Sequence, residues 1–391
     1  MSNTGRLIRR PIRTNSTISW SPVDYQESRI VAFNEIEKRL KPNLKSSIDD
    51  AILAEGDSIE ILRKIPDGSV SLILTDPPYH STKKKNIHGD RAFDEDEHYV
   101  EWMTEHAVEW RRILRQNGSL YCFCSSEMSA RLEIAFSKYF NILSQIVWTK
   151  PNEPGFDGWK QKMKKDSLRQ WYPHTERIIF AEPSAEGNLN KSPFANFLRT
   201  TRKVAGLSTY EVAEIIGAYG RVNHGGAVSN WEAGRNTPSR EQYAGMCAAF
   251  LNTGKIKSMP PYEDAIRPFM MDGTKEFTDV WTFPSVRPYK GKHPAEKPAS
   301  MLRHAIEAAS YPGDIVLDCF AGSGSTALAA LEVGRRSISI EIDPIWVSRI
   351  SNRLQAKNLE FPTEVCEANK QTSVNNVNVN VHELPLFCGS K

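Results

Sequence analysis

Residues 315–344 read IVLDCFAGSGSTALAALEVGRRSISIEIDP, and this stretch decides the fold. Ile315, Val316 and Leu317 form a buried strand that ends in Asp318. Gly322 and Gly324 then allow a tight turn before a helix. Glycines there let backbone N–H groups come close to a ligand, because no Cβ intervenes. The helix runs through TALAALEVG, and RSISIEID is a second strand that ends in the carboxylate of Glu341. An acid at that point, about 20 residues past the glycines, is where a nucleotide-type α/β unit receives ribose hydroxyls. No Gly-Lys-Ser/Thr follows the glycines, so this is not a phosphate-cradling loop.

Outward from this unit, strands and helices alternate. AILAE precedes a Gly56-Asp57 turn and an amphipathic helix. SVSLILTD is the next strand. Residues 97–118 read as one long helix with Gly118 as its C-cap. SLYCFCS, ILSQIVWTK, ERIIFAE and DVWTF are further strands. Such alternation predicts an α/β domain with a parallel sheet covered on both faces. Residues 192 to about 255 read as all helix, inserted into that domain. The chain therefore divides into a basic N-terminal tail with a first helix from Val31 to Leu40 (1–45), a first α/β half (46–190), a helical insertion (191–256), a second α/β half (257–360) and an Asn/Val-rich tail expected to be disordered (361–391).

Composition narrows the class. A 40% hydrophobic fraction in 391 residues supports a real core, and 25% charged residues are ordinary for a soluble protein. No apolar run of about 18 residues occurs, so no transmembrane helix is expected. The basic start, MSNTGRLIRRPIRTNS, lacks the apolar stretch of a secretory signal. The six cysteines show neither a disulfide framework nor paired CxxC spacing, which predicts a reducing, cytoplasmic setting and no metal site. Cys122 and Cys124 alternate within a strand and read as buried. The net charge is only +3, yet the cations cluster at Arg6–Arg13, Lys83–Lys85, Lys160–Arg169 and Arg287–Lys297. Clustered Lys and Arg beside motifs point to a polyanionic partner.

A second stretch, LILTDPPYHS at 72–81, ends a buried strand in a carboxylate, two prolines and an aromatic ring. Together with DCFAGSGST, it resembles the amino-group DNA methyltransferases that use S-adenosylmethionine. HPAEKPASMLRHAI (293–306), QIVWTKPN (145–152), HTERIIF (174–180) and Gly56-Asp57 are also similar to segments of that family. The catalytic motif precedes the Gly-rich motif, an order that resembles the family's beta class. The resemblance implies a Rossmann-like methyltransferase fold with permuted motif order, acting on an exocyclic amine of a flipped base. The family's adenine-N6 enzymes favour Asp where Asp76 stands; cytosine-N4 transfer is the alternative.

By that resemblance, Asp76 and the Pro77 carbonyl accept hydrogen bonds from the target amine, Pro78 stiffens the loop, and Tyr79 stacks on the extruded base. Asp57 lies near the adenine of the cofactor. Asp318, Phe320, Ala321, Gly322 and Gly324 form the pocket for its methionine end, Glu341 takes the ribose, and Lys297 and Pro298 line the same pocket. In an open parallel sheet, both loops meet beyond the strand ends if the strands carrying Leu74 and Leu317 are neighbours.

The helical insertion resembles the phage-repressor type of helix-turn-helix, through Leu198, Arg202, Leu207-Ser208, Val212, Ala213, Ile216, Val228, Trp231, Gly234-Arg235 and Thr237-Pro238-Ser239. That resemblance implies a small all-α target-recognition module on double-stranded DNA. Asn223, His224, Ser229 and Asn230 would reach base edges, and Arg202 and Arg235 would touch phosphate. A DNA-binding regulator with an inactive methyltransferase fold is the competing class; the intact Asp76, Gly322, Gly324 and Glu341 argue against it. A cognate restriction endonuclease is a possible partner. HELPLF (382–387) resembles the peptide by which bacterial replication proteins bind the sliding clamp, with Glu383 in place of the usual Gln.

Overall fold

The computed structural model describes residues 22–80, 93, 95–151, 166, 169, 171, 174–184, 192–218, 226–271 and 277–360. Its strands are β1 (Leu44–Ile48), β2 (Ala51–Glu55), β3 (Val70–Thr75), β4 (Leu114–Cys124), β5 (Phe140–Thr149), β6 (Thr175–Pro183), β7 (Val280–Thr282), β8 (Ile315–Asp318) and β9 (Arg336–Glu341). Among the described residues they form one sheet in the order β1-β2-β9-β8-β3-β4-β6-β5-β7. β1 and β6 run against the other strands.

The strands are apolar on both sides because both faces are covered. In β4, Leu120, Cys122 and Cys124 point to one face and Tyr121 and Phe123 to the other; in β8, Leu317 and Val316 divide the same way. The first face packs under α1 (Pro22–Leu40), α2 (Ser58–Leu62), α3 (Asp96–Ile113) and α4 (Ser129–Phe136). The insertion supplies α5 (Pro193–Ala205), α6 (Thr209–Ile215), α7 (Ala227–Glu232), α8 (Arg240–Leu251) and α9 (Tyr262–Ala265). The second face packs under α10 (Ala299–Ala309) and α11 (Ser325–Glu332), and α12 (Pro344–Glu360) closes over β2 and α11. Among the described residues no helix is long and apolar enough to cross a membrane.

Three boundaries differ from the sequence reading. Residues 97–118 do not form one helix: α3 stops at Ile113 and β4 begins at Leu114. Gly118 lies inside that strand, where a Cβ would meet Leu114 Cδ2 at 2.8 Å and the Ser71 carbonyl at 3.0 Å. Its glycine therefore serves close approach, and the capping interpretation fails. The first helix begins at Pro22 and is docked: Phe33, Ile36 and Leu40 enter the core. The insertion also continues past residue 256, because Met259 and Ile266 bury in its core with Leu198, Val212, Trp231 and Phe250. Ser208 and Ser239 each close a capping box, on α6 and α8.

The insertion attaches at the edge where the parallel strands begin. Asn117, near the start of β4, donates to the Glu263 carbonyl (2.6 Å), and Arg267 pairs with Glu182 at the end of the reversed β6 (2.9 Å). Asp314, just before β8, is the hub of this edge. Its Oδ1 accepts from Tyr25 Oη, Arg29 Nε and Ser71 Oγ, each at 2.8 Å, and Arg29 also binds Asp264 at 2.6 Å. One buried carboxylate thus ties α1, β3 and the turn before β8 together, and Arg29 extends the tie to the insertion. Truncating one partner of such a buried pair strands the other. Arg29→Met is expected to lower the unfolding free energy by about 3–5 kcal/mol, measured by urea denaturation.

Candidate active site

The carboxyl ends of the parallel strands share the opposite edge with the start of β6. β3 and β8 are neighbours there, with Ile73 opposite Leu317. Thr75 fastens the two loops: its Oγ1 donates to Asp318 Oδ1 (2.9 Å) and accepts from the Cys319 amide (3.2 Å). Asp76, Pro77, Pro78 and Tyr79 leave β3 at this point. Tyr99 Oη donates to the Pro78 carbonyl (3.1 Å), which pins the loop to α3.

A charged cluster surrounds Asp76. Lys297 Nζ donates to Asp76 Oδ2 at 2.6 Å and lies 3.3 Å from Glu176 Oε2. Tyr79 Oη donates to Glu176 Oε2 (2.9 Å), and Lys150 Nζ donates to Glu176 Oε1 (2.5 Å). The Lys297 ammonium also sits 5.0 Å from the centre of the Phe123 ring. Asp76 Oδ1 is buried with no hydrogen-bond partner. Burial raises the Asp76 carboxyl above its usual range; Lys297 opposes this and Glu176 adds to it. Burial would raise Glu176 too, but Lys297 and Lys150 outweigh it and hold that carboxyl down at about 2. Sequence reasoning missed Glu176 and Lys150 as members of the site, although both stand in the segments that carried the family resemblance.

Beside this cluster lies a row of carboxylates on three neighbouring strands. Asp318 ends β8, Glu341 ends β9, and Asp57 follows β2 by two residues. Glu341 Oε2 accepts from the Gly322 amide (2.7 Å), and its Oε1 accepts from Ile342 and Asp343. Gly56 donates to the Glu341 carbonyl (3.0 Å), and Ala321 to the Ile340 carbonyl (3.0 Å), so the three loops close together. Exposed Asp57 caps α2 through the amides of Ile59 and Glu60. Phe320 packs on Trp102 and the buried, neutral His106. Gly322 and Gly324 have φ of +52° and +74°, and a Cβ on either would come within 3.0 Å of His293 or Ile350. A row of acids with a backbone-lined turn suits a ligand that carries cationic groups and hydroxyls, as S-adenosylmethionine does.

Lys297 is placed against Asp76 and Glu176, on the catalytic side of the expected pocket, and Pro298 caps α10 beside it. Arg202 is engaged within the insertion: it binds Glu232 and the Leu207 carbonyl. Its guanidinium holds α5 to α7 and the turn before α6, which differs from the expected phosphate contact. Ser229 and Asn230 are half-buried on α7, and exposed Arg235 donates to Asn230 Oδ1 (3.1 Å). Asn223, His224 and the HELPLF tail lie outside the described residues. Among the described residues no group of three or more His, Cys, Asp or Glu could hold a metal ion.

The chain is similar to known DNA methyltransferases. A family model described as N6_N4_Mtase, DNA methylase, matches residues 70–352. The chain is 26% identical over 326 residues to the DNA adenine methyltransferase YhdJ of Escherichia coli (strain K12), covering 83% of this chain and 89% of that protein. It is 25% identical over 335 residues to the type II methyltransferase M.BglII of Bacillus subtilis, covering 80% and 74%. Among solved structures, the PvuII DNA methyltransferase (cytosine-N4-specific) aligns over 78% of this chain and 87% of its own, with TM-score 0.46 and 17% identity.

Burial pushes the Asp318 carboxyl up to about 6, against hydrogen bonds from Thr326, the Phe320 amide and Thr75. A carboxyl raised on folding keeps its proton while the unfolded chain gives it up. Stability is therefore full below pH 4 and falls as pH rises towards 6. The ligand-free protein is expected to lose roughly 3 kcal/mol over that window, and Asp318→Asn to flatten the dependence in urea titrations. A cationic cofactor favours the ionised carboxylate, so its calorimetric affinity should rise from pH 5 to pH 7 in the wild type alone.

Proposed function

The chain belongs to the N6/N4 DNA methylase family, whose methyl donor is S-adenosylmethionine, and we propose that it methylates the N6 amine of an adenine extruded from double-stranded DNA. The observation that carries this reading is the Asp76 carboxylate, with one oxygen held by Lys297 and the other buried and unpartnered. An acceptor left unpaired in the interior costs roughly 1–3 kcal/mol, and an amine N–H entering the site would recover it.

An exocyclic amine is a weak nucleophile because its lone pair is delocalised into the ring. Two acceptors, Asp76 Oδ1 and the Pro77 carbonyl, draw its hydrogens out of the ring plane and free the lone pair. S-adenosylmethionine supplies the methyl group as an electrophile on a sulfonium. Asp57, Asp318 and Glu341 would hold that cofactor, with Gly322 and Gly324 giving it close access to the backbone. The Tyr79 hydroxyl is fixed by Glu176, so its ring is set before a base arrives. Stacking of about 1–3 kcal/mol per base offsets part of the few kcal/mol that flipping costs. Orientation then does most of the work, since the transfer is direct.

Asp at position 76 supports adenine, as does the likeness to YhdJ. The basic clusters Lys83–Lys85 and Lys160–Arg169 in the sequence suit a polyanionic duplex. The helical insertion is a second duplex contact, through Ser229, Asn230 and Arg235. The likeness to M.BglII fits a partnership with a cognate endonuclease.

Incubation with plasmid DNA and S-adenosylmethionine, then digestion to nucleosides and mass spectrometry, should yield N6-methyladenosine. N4-methylcytidine would keep the family and overturn the base. Asp76→Ala should slow single-turnover methylation by about 10²–10³-fold. Replacing Asn230 and Arg235 together by Ala should weaken duplex binding and reduce its salt slope by about one, with the methylated base unchanged.

A further inference from the structure

We infer that Lys297 is a positioning residue for methyl transfer, which clamps one oxygen of the Asp76 carboxylate so that the other is left to accept the target amine, and that Glu176 holds the clamp. This rests on the reading of Asp76 given above. It moves Lys297 from the cofactor pocket, where the family resemblance put it, to the reacting edge of the substrate.

The geometry is specific. Lys297 is 8% exposed, and its ammonium bridges Asp76 (2.6 Å) and Glu176 (3.3 Å). The rings of Phe123, Tyr79 and Trp148 stand 5.0, 5.5 and 5.9 Å from it. An ammonium has three donors and no acceptor, so it can only face the carboxylates, and the aromatic walls keep its charge from water. A free Asp side chain rotates broadly about its terminal torsion. The Lys297 contact selects one of the two oxygens. Glu176 is itself fixed by Lys150 and Tyr79, so the clamp is anchored to β5, β6 and the catalytic loop at once.

The charges around Asp76 give the inference a readout that packing alone would not move. Asp76 is faced by Lys297 from the segment before α10, Glu176 from β6, Tyr79 from its own loop, Asp318 from β8, and the thiols of Cys122 and Cys124 from β4. Lys297 is the cation that favours the ionised carboxylate, while Glu176 and Asp318 oppose it. Lys297→Met should therefore move the acid limb of the single-turnover pH–rate profile to higher pH, and Glu176→Gln should move it to lower pH. Lys297→Met should also reduce the plateau rate by about a hundredfold, while the calorimetric Kd for S-adenosylmethionine changes less than threefold. Lys297→Arg should restore the wild-type limb.

A tenfold weaker cofactor Kd in Lys297→Met, with an unchanged saturated rate, would return Lys297 to the cofactor pocket and overturn the inference. So would an unmoved acid limb, or a Lys297→Arg profile no different from that of Lys297→Met. Should Lys297→Met fail to fold, Glu176→Gln and Lys297→Arg decide the matter by the same limb. A wild-type protein that methylates no DNA would remove the proposed function itself, and the cofactor titrations would still locate Lys297.

Discussion

The pairing of β3 with β8 is the constraint on which the site depends. Thr75 and Asp318, 243 residues apart, meet because these two strands are hydrogen-bonded neighbours. Everything functional follows from what leaves their carboxyl ends. One loop carries Asp76, the proposed acceptor, and the other carries Gly322, Gly324 and Asp318, proposed to hold the cofactor. Chain order has no bearing on this meeting, since the edge of a parallel sheet is a place in space and not in sequence.

The opposite edge is built by the same physics for a different end. Asp314 gathers Tyr25, Arg29 and Ser71 on one oxygen, and Arg29 passes the connection to Asp264. These groups are all committed to one another. At the catalytic edge the charges also balance, with Asp76 and Glu176 against Lys297 and Lys150. There, however, one carboxylate oxygen is left over. Buried polar atoms without a partner are destabilising and occur at both edges, Arg115 Nε and Arg267 Nη1 where the insertion docks and Asp76 Oδ1 here; the last is a carboxylate oxygen, which on the proposed function the incoming amine meets.

Much of this was legible in the sequence, because the strands that matter are apolar on both faces and end in acids. β2, β3, β8 and β9 were each readable from runs such as SVSLILTD and GDIVLDCF. The misreadings have physical causes. RRILRQNG continues the helical period of α3, yet Leu114 turns into β4 because the strand must lie beside β3. That tertiary demand is invisible locally, and Gly118 looked like a cap for want of knowing what approached it. Arg202 looked free for phosphate because its partner Glu232 lies 30 residues away. Lys150, Glu176 and Lys297 come from three separate segments, and only the fold shows that their charges neutralise one another around Asp76.

The insertion's position bears on how DNA is held. β3 has six residues, so the two edges of the sheet are roughly 20 Å apart at about 3.3 Å per residue. The insertion docks where the parallel strands begin, through Asn117, Glu263 and Arg267, and Asp76 stands where β3 ends. On the proposed function, a duplex that offers a base to Asp76 and also touches the insertion must span the separation of these two edges. Were the insertion to contact the duplex as proposed, it would add affinity through tethering: once one contact is made, the other is presented at high local concentration. On the proposed function, methyl transfer and duplex capture would then be separate properties of the chain, belonging to opposite edges of one sheet.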